Sequence, residues 1–350
     1  MGKHMKFNKI ISYTLILALI LTLTGCKSKQ ATGNNIEQRV ETSIQETTQF
    51  LEKEMNDAID LAPEGYWIIM TLARSGENVD QKIFEDYYTN LVKVLNENNG
   101  VLHERKYTVY SRTILALTAM GKDPTDVGGY NLLEAMADYE KVIFQGINGP
   151  TFALIALDSN NYEIPNNPNA NIQGTREMYI DHILEHQLND GGFEFSARSP
   201  EDSADPDMTA MILQALSKYQ DIPKVKEATE KALNCLSNMQ LDNGGYHSWG
   251  SENSESVVQV IMALTELGID PEDERFVKEG NTLIENLLTF YVEGGGFMHV
   301  REGEENNGGG MAGKLDPIAT EQGYYGLVAY RRFKNNQNSF YDMTDANNEK

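Results

Sequence analysis

The sequence predicts an all-α protein, an α6/α6 toroid in which an inner ring of helices is wrapped by an outer one. Three observations predict it. Short apolar helices recur: "YWIIMTLARSG" from Tyr66, "SRTILALTAMG" from Ser111, "GPTFALIALD" from Gly149, "DMTAMILQAL" from Asp207, "SVVQVIMALTELG" from Ser256 and "TEQGYYGLVAY" from Thr320. Aligned on Leu72, Leu117, Leu157, Leu216, Leu264 and Tyr330, they step by 45, 40, 59, 48 and 66 residues. Between them lie polar, amphipathic helices such as "TREMYIDHILEHQ" and "VKEATEKALNCLSNMQ", and strand periodicity is nearly absent. A helix that is apolar on most sides must be surrounded by protein, and helix pairs stacked into a closed ring supply that surrounding. An open solenoid of the same pairs is the alternative.

Taken in order, the chain starts with Lys3, Lys6 and Lys9, then runs mostly apolar from Ile10 to Thr24, too short for a comfortable membrane span. With "LTGC" at Leu23 to Cys26, this lead resembles a bacterial lipoprotein signal. The resemblance implies cleavage before Cys26, its acylation (palmitate among the chains) and a lipid anchor on the extracytoplasmic face of the cell membrane. The expected boundaries are a signal over 1–25, a polar tether over 26–35, the toroid over 36–343 and a tail over 344–350. From Ile36 the pattern turns helical, with Ile36, Val40, Ile44, Leu51, Met55 and Ile59 on one face.

Cys235 is the only cysteine besides Cys26, so an exported fold of this kind relies on its core rather than on a disulfide. Fifty-two acids against 29 bases give a net charge of −23, and loss of the three lysines of the lead takes it to about −26. Such a charge argues against nucleic-acid partners. A second repeated element follows the polar helices: "HQLNDGGF" from His186, "MQLDNGGY" from Met239 and "YVEGGGF" from Tyr291. Glycine ends a helix with φ > 0, the next aromatic packs back, and Gln187 and Gln240 are placed to bond the turn.

"QLNDGGF" followed by "DPDMTAMILQAL", and "QLDNGGYHSWG" followed by "SESVVQVIMALTELGIDP", resemble the repeats of the prenyltransferase and squalene-cyclase superfamily. "QGINGPTFALIALDS" and "ATEQGYYGLVAYRRFKNNQNSFYDM" are most similar to a bacterial surface branch, related in fold to intrinsic factor and transcobalamin. The resemblance implies an α6/α6 toroid whose funnel is lined by the N-terminal ends of the inner helices. It leaves the chemistry open.

The zinc of protein prenyltransferases needs an Asp, a nearby Cys and a distant His. The loops before "GGF" carry Asn189 and Asp190 but no Cys, and Cys235 reads as packing on an apolar face. His182 and His186, four residues apart, lack an evident third ligand, so neither metal nor cofactor is expected. Class II cyclases protonate an alkene with the middle Asp of D-x-D-D; Asp205 and Asp207 match the first two acids, but Met208 replaces the last. Asp205 also reads as an N-cap, Pro206 as a first-turn residue and Asp207 as an acid at the positive end of the dipole. Glu255 and Glu321 fall at the place of Asp207 in later repeats, each eight residues before a shared alanine (Ala215, Ala263, Ala329). Pro63, Thr108 and Asn148 hold that place in the first three repeats, so the acids ring one side only.

Arg112 is the one base expected near these acids, and Tyr66, Trp67, Tyr324 and Tyr325, with Tyr110 and Trp249, are candidates for aromatic surface at the funnel. "GGGMAGKL" from Gly308 misses the phosphate-loop pattern at Leu315, and Val300 to Lys314 reads as a long glycine-rich loop. The expectation is a surface-anchored lipoprotein that binds a bulky amphipathic or corrinoid-like ligand without catalysis, with a separate partner protein as lid. The alternative is a terpene-cyclase or prenyltransferase-type enzyme using Asp207 as acid.

Overall fold

The protein was analysed as a computed structural model, which describes residues 35–55 and 62–346. The basic-apolar lead, Cys26, most of the tether, Ile59 and the last four residues lie outside the described residues. The chain divides into two compact units, Met1–Thr42 and Ser43–Lys350. Of the first, 35–42 are described and helical. Helix α1 covers 35–55, and its residues from Ser43 onward belong to the second unit, which holds everything that follows.

Eleven further α-helices are described: α2 (Tyr66–Arg74), α3 (Gln81–Glu97), α4 (Thr108–Ala119), α5 (Tyr139–Val142), α6 (Asn148–Asp158), α7 (Arg176–Leu184), α8 (Pro206–Leu216), α9 (Pro223–Met239), α10 (Ser254–Glu266), α11 (Leu283–Leu287) and α12 (Pro317–Lys334). The all-α class holds, and no described helix is long and apolar enough to cross a membrane. Strand is confined to two short hairpins: β1 (His247–Ser248) with β2 (Ser251–Glu252), and β3 (Phe297–Met298) with β4 (Leu315–Asp316). The first turns through Trp249 and Gly250, both at positive φ (51° and 88°), the geometry that matches the twist of a two-residue hairpin.

The even-numbered helices are the apolar ones. Each packs on the next from α2 through α12, and α12 packs on both α10 and α2. In α10 every residue from Val257 to Thr265 is buried, which only a helix enclosed on all sides achieves. The others are one-sided. Helix α9 starts at Pro223, buries Val225, Ala228, Ala232, Leu233, Cys235 and Leu236, and packs that stripe on α8. Cys235 belongs to the stripe, and burial pushes its thiol up to about 11, so it packs rather than reacts at neutral pH.

The glycine loops couple the two kinds of helix. Gly191, Gly244 and Gly295 have φ of 92°, 86° and 110°. A Cβ on them would lie 2.8, 2.7 and 2.6 Å from the carbonyl oxygens of Lys231, Thr282 and Glu46, so they must be glycine for contact as well as for φ. Phe193, Tyr246 and Phe297 are fully buried behind them. Gln187 donates to the oxygens of Gly191 (2.8 Å) and Ala228 (2.9 Å), and Gln240 to those of Gly244 (3.1 Å) and Phe276 (2.9 Å). The third loop docks on α1, where Gly296 N–H donates to Thr47 Oγ1 at 3.2 Å.

The segment after α12 carries bonds to several apolar helices. It crosses the C-terminal ends of the apolar helices. Arg74 of α2 donates to Asp345 Oδ1 (2.5 Å) and to the carbonyls of Ser339, Phe340 and Asp342. Arg332 of α12 donates to Asp345 Oδ2 (2.5 Å) and to the carbonyls of Asn338 and Arg74. Both arginines are 2% exposed or less. Glu266 of α10 accepts from Ser339 Oγ (2.7 Å) and Tyr341 N–H (2.9 Å), and Met343 N–H reaches the Ser159 carbonyl just past α6 (2.7 Å). These bonds were not legible in the sequence, because one charged residue among polar neighbours carries no periodic signal.

Candidate functional site

The N-terminal ends of the apolar helices are built by caps. Asp205, Asn253 and Asp316 each accept from the backbone N–H three residues on, at 3.0, 2.9 and 2.9 Å. Asp205 is fully engaged, because its second oxygen accepts from Ser248 Oγ at 2.5 Å. It is a cap and a hairpin anchor. Asp207 and Glu255 stand two residues past their caps, but Glu321 stands five past Asp316, and exposed Ile318 takes the matching place. The alanine register had set the three acids level. Helix α12 begins one turn earlier relative to its alanine, so Glu321 stands one turn further from its cap than Asp207 and Glu255 do.

At these ends the otherwise buried helices retain half-exposed residues: Tyr66 and Trp67 on α2, Arg112 on α4, Asn148 on α6, Asp207 on α8, Glu255 on α10, and Glu321 with Gln322 on α12. Asp207 is half-buried as a residue, yet its Oδ1 is closed off and has no hydrogen-bond partner. Burial pushes its carboxyl up to about 7; neighbouring Asp205 and Glu255 add to this, while the hydroxyls of Ser256 and Ser248 oppose it. Burial also raises Glu321 to about 7, against the pull of the Arg112 guanidinium.

Arg112 lies with its guanidinium carbon 4.4 Å from the Phe152 ring centroid, 5.6 Å from Trp67 and 5.7 Å from Tyr66. Tyr325 connects the cluster. It is 2% exposed, with its ring 5.4 Å from Trp67 and its hydroxyl accepting from Gln259 Nε2 at 2.5 Å. Gln259 also donates to Gln322 Oε1 (2.9 Å) and accepts from Gln214 Nε2 (3.0 Å), forming a buried amide ladder across α8, α10 and α12. Charges on Asp207, Arg112 and Glu321 all act on the Tyr325 hydroxyl.

Next to this cluster, His299 Nδ1 meets both Glu255 oxygens at 2.9 Å, and its Nε2 meets Asn307 Oδ1 at 3.1 Å. The Glu255 carboxylate holds the imidazole above its ordinary value. The glycine-rich loop after β3 is therefore tied down: Asn307 N–H donates to Ser251 Oγ at 2.6 Å, and Arg301 pairs with Glu252 at 2.7 Å.

Of the residues expected from sequence, Asp207, Glu321, Arg112, Tyr66, Trp67 and Tyr325 come together, with Glu255 beside them. Tyr324 does not: it is 1% exposed and its hydroxyl meets Thr48 Oγ1 of α1 at 2.6 Å. Consecutive residues on a helix point 100° apart, so Tyr324 and Tyr325 serve different neighbours. Tyr110 is buried with its hydroxyl accepting from Leu102 N–H, and Trp249 is 71% exposed at a hairpin tip. Sequence reasoning missed His299, Gln259 and Asn148. Asn148 had been passed over as not acidic, although its amide oxygen is buried without a partner. His182 stacks edge-on against Tyr139 and lies beside His186, and no group of three or more His, Cys, Asp or Glu among the described residues is placed to hold a metal. No family model matches this chain, and no curated protein matches it.

Proposed function

We propose that this chain is a lipoprotein anchored through Cys26, with its helices closed into an α6/α6 toroid of the prenyltransferase and squalene-cyclase kind. In this reading, the toroid binds a bulky amphipathic, corrinoid-like ligand at the mouth described above and does not transform it. Ring closure is supported by the packing of α12 on α2 and by the docking of the third glycine loop on α1. One observation carries the binding role. Of the six buried side-chain atoms without a partner among the described residues, three are Arg112 Nε, Asn148 Oδ1 and Asp207 Oδ1, at the same end of three successive apolar helices. Folded proteins seldom leave such atoms unpaired, and a ligand that pairs them gains what the empty fold lacks. The half-exposed Tyr66 and Trp67 offer the apolar part of the same surface.

Native mass spectrometry of the body released from its own host tests this. The expected result is one co-purified small molecule per chain, lost in the Asp207→Ala variant. An empty chain that also ignores added amphiphiles overturns it. Membrane fractionation of Cys26→Ala, expected to release the protein, tests the anchor.

A second reading rests on the carboxyl of Asp207, pushed up to about 7 by burial and by the neighbouring Asp205 and Glu255, which is what an acid catalyst requires. Turnover of polyprenyl substrates that disappears in Asp207→Asn, with the fold intact, favours this reading over passive binding.

A further inference from the structure

We infer that Arg112 anchors an oxyanion, a carboxylate or phosphate, at the polar end of the ligand; this rests on the ligand-binding reading of the mouth. Among the described residues, every other arginine that is not exposed has a carboxylate partner. Arg74 and Arg332 share Asp345, Arg176 has Asp158, Arg275 has Asp273, Arg301 has Glu252 and Arg331 has Glu77. Arg112 has no ion pair among the described residues, in a chain with 52 acids to 29 bases. A guanidinium offers five N–H donors. Here one is used, in a long contact from Nη1 to Tyr66 Oη at 3.3 Å, and Nε is buried without a partner. The ring of Phe152 covers one region of the guanidinium, with Trp67 and Tyr66 beside it, so the plane is held while its donor edge stays unfilled. A planar fork with free donors matches the two oxygens of a carboxylate or phosphate.

The surrounding charges set the pH at which this works. Asp207, Arg112 and Glu321 all act on the Tyr325 hydroxyl; Asp205 and Glu255 act on Asp207, Asp316 and Arg112 act on Glu321, and His299 pairs with Glu255. Burial holds Asp207 and Glu321 near 7, so below that pH both are largely protonated, leave the charge of Arg112 uncancelled and can donate to the same anion. Above it they ionise and repel the anion. Anion affinity therefore falls as pH rises through about 7.

The test is calorimetric titration of the full chain carrying Cys26→Ser, which cannot be acylated, with decanoate, decyl phosphate and 1-decanol. At pH 6 the anions are expected to bind one per chain and at least about tenfold more tightly than decanol, with the preference shrinking at pH 8. The tighter of the two anions identifies the head group. Arg112→Gln should abolish the preference for the anions over decanol, and Arg112→Lys should keep part of it. Equal binding of decanol and the anions, or a preference that survives in Arg112→Gln, overturns the role of Arg112 and leaves the ligand-binding reading standing. A natively melting chain that binds none of the three overturns both.

Discussion

Asp207 is the residue at which capping and chemistry separate. Asp205 does the capping, which leaves Asp207 free to face inward with an unpartnered oxygen. Its carboxyl sits near 7 in the fold against an ordinary value of 3.8, so between those values the native state binds more protons than the unfolded chain. Stability must then fall as pH rises through that window, and Glu321 adds to the same slope. Asp207→Asn removes one ionisation. Urea unfolding should find it stabilised by about 1–3 kcal/mol at pH 8 relative to the parent, with little difference at pH 4. The acids themselves were legible in the sequence, because a cap followed by an acid marks a helix start. The distance of Glu321 from its cap was not legible, since an aligned alanine does not reveal that one helix has an extra N-terminal turn. His299 was hidden for a different reason: its partner Glu255 is 44 residues away, and no local spacing joins them.

At the scale of the element, the glycine loops are the joints between apolar and polar helices. Their grammar was readable in advance, since Gly, aromatic and upstream Gln each have a local physical reason. Gln240 is the sharpest case: 7% exposed, it bridges its own loop to the carbonyl of Phe276. Gln240→Ala leaves both carbonyls buried and unmet and should cost about 1–3 kcal/mol in denaturant unfolding. The two hairpins were not readable. Pairing of two residues per strand is too short to leave alternation, and β1–β2 is fixed instead by the positive-φ turn at Trp249 and Gly250.

Across the second unit, one bracket joins the first apolar helix to the end of the described chain. Asp345 takes a hydrogen bond from each of two fully buried arginines, on α2 and α12. Removing one member of such a set leaves charge buried without compensation. Asp345→Ala should therefore cost about 3–5 kcal/mol by thermal or urea unfolding, with Asp345→Asn milder because it keeps an acceptor. The order of the apolar helices followed from repeat spacing, but this bracket did not, since a single Asp beyond the last repeat has no pattern to belong to.

The bracket also has a consequence in time. A chain made from its N-terminus presents Arg74 271 residues before the carboxylate that satisfies it. Until then two guanidiniums wait in a half-assembled interior, so nascent material that stops short of Asp345 is the form that quality-control proteases should find first.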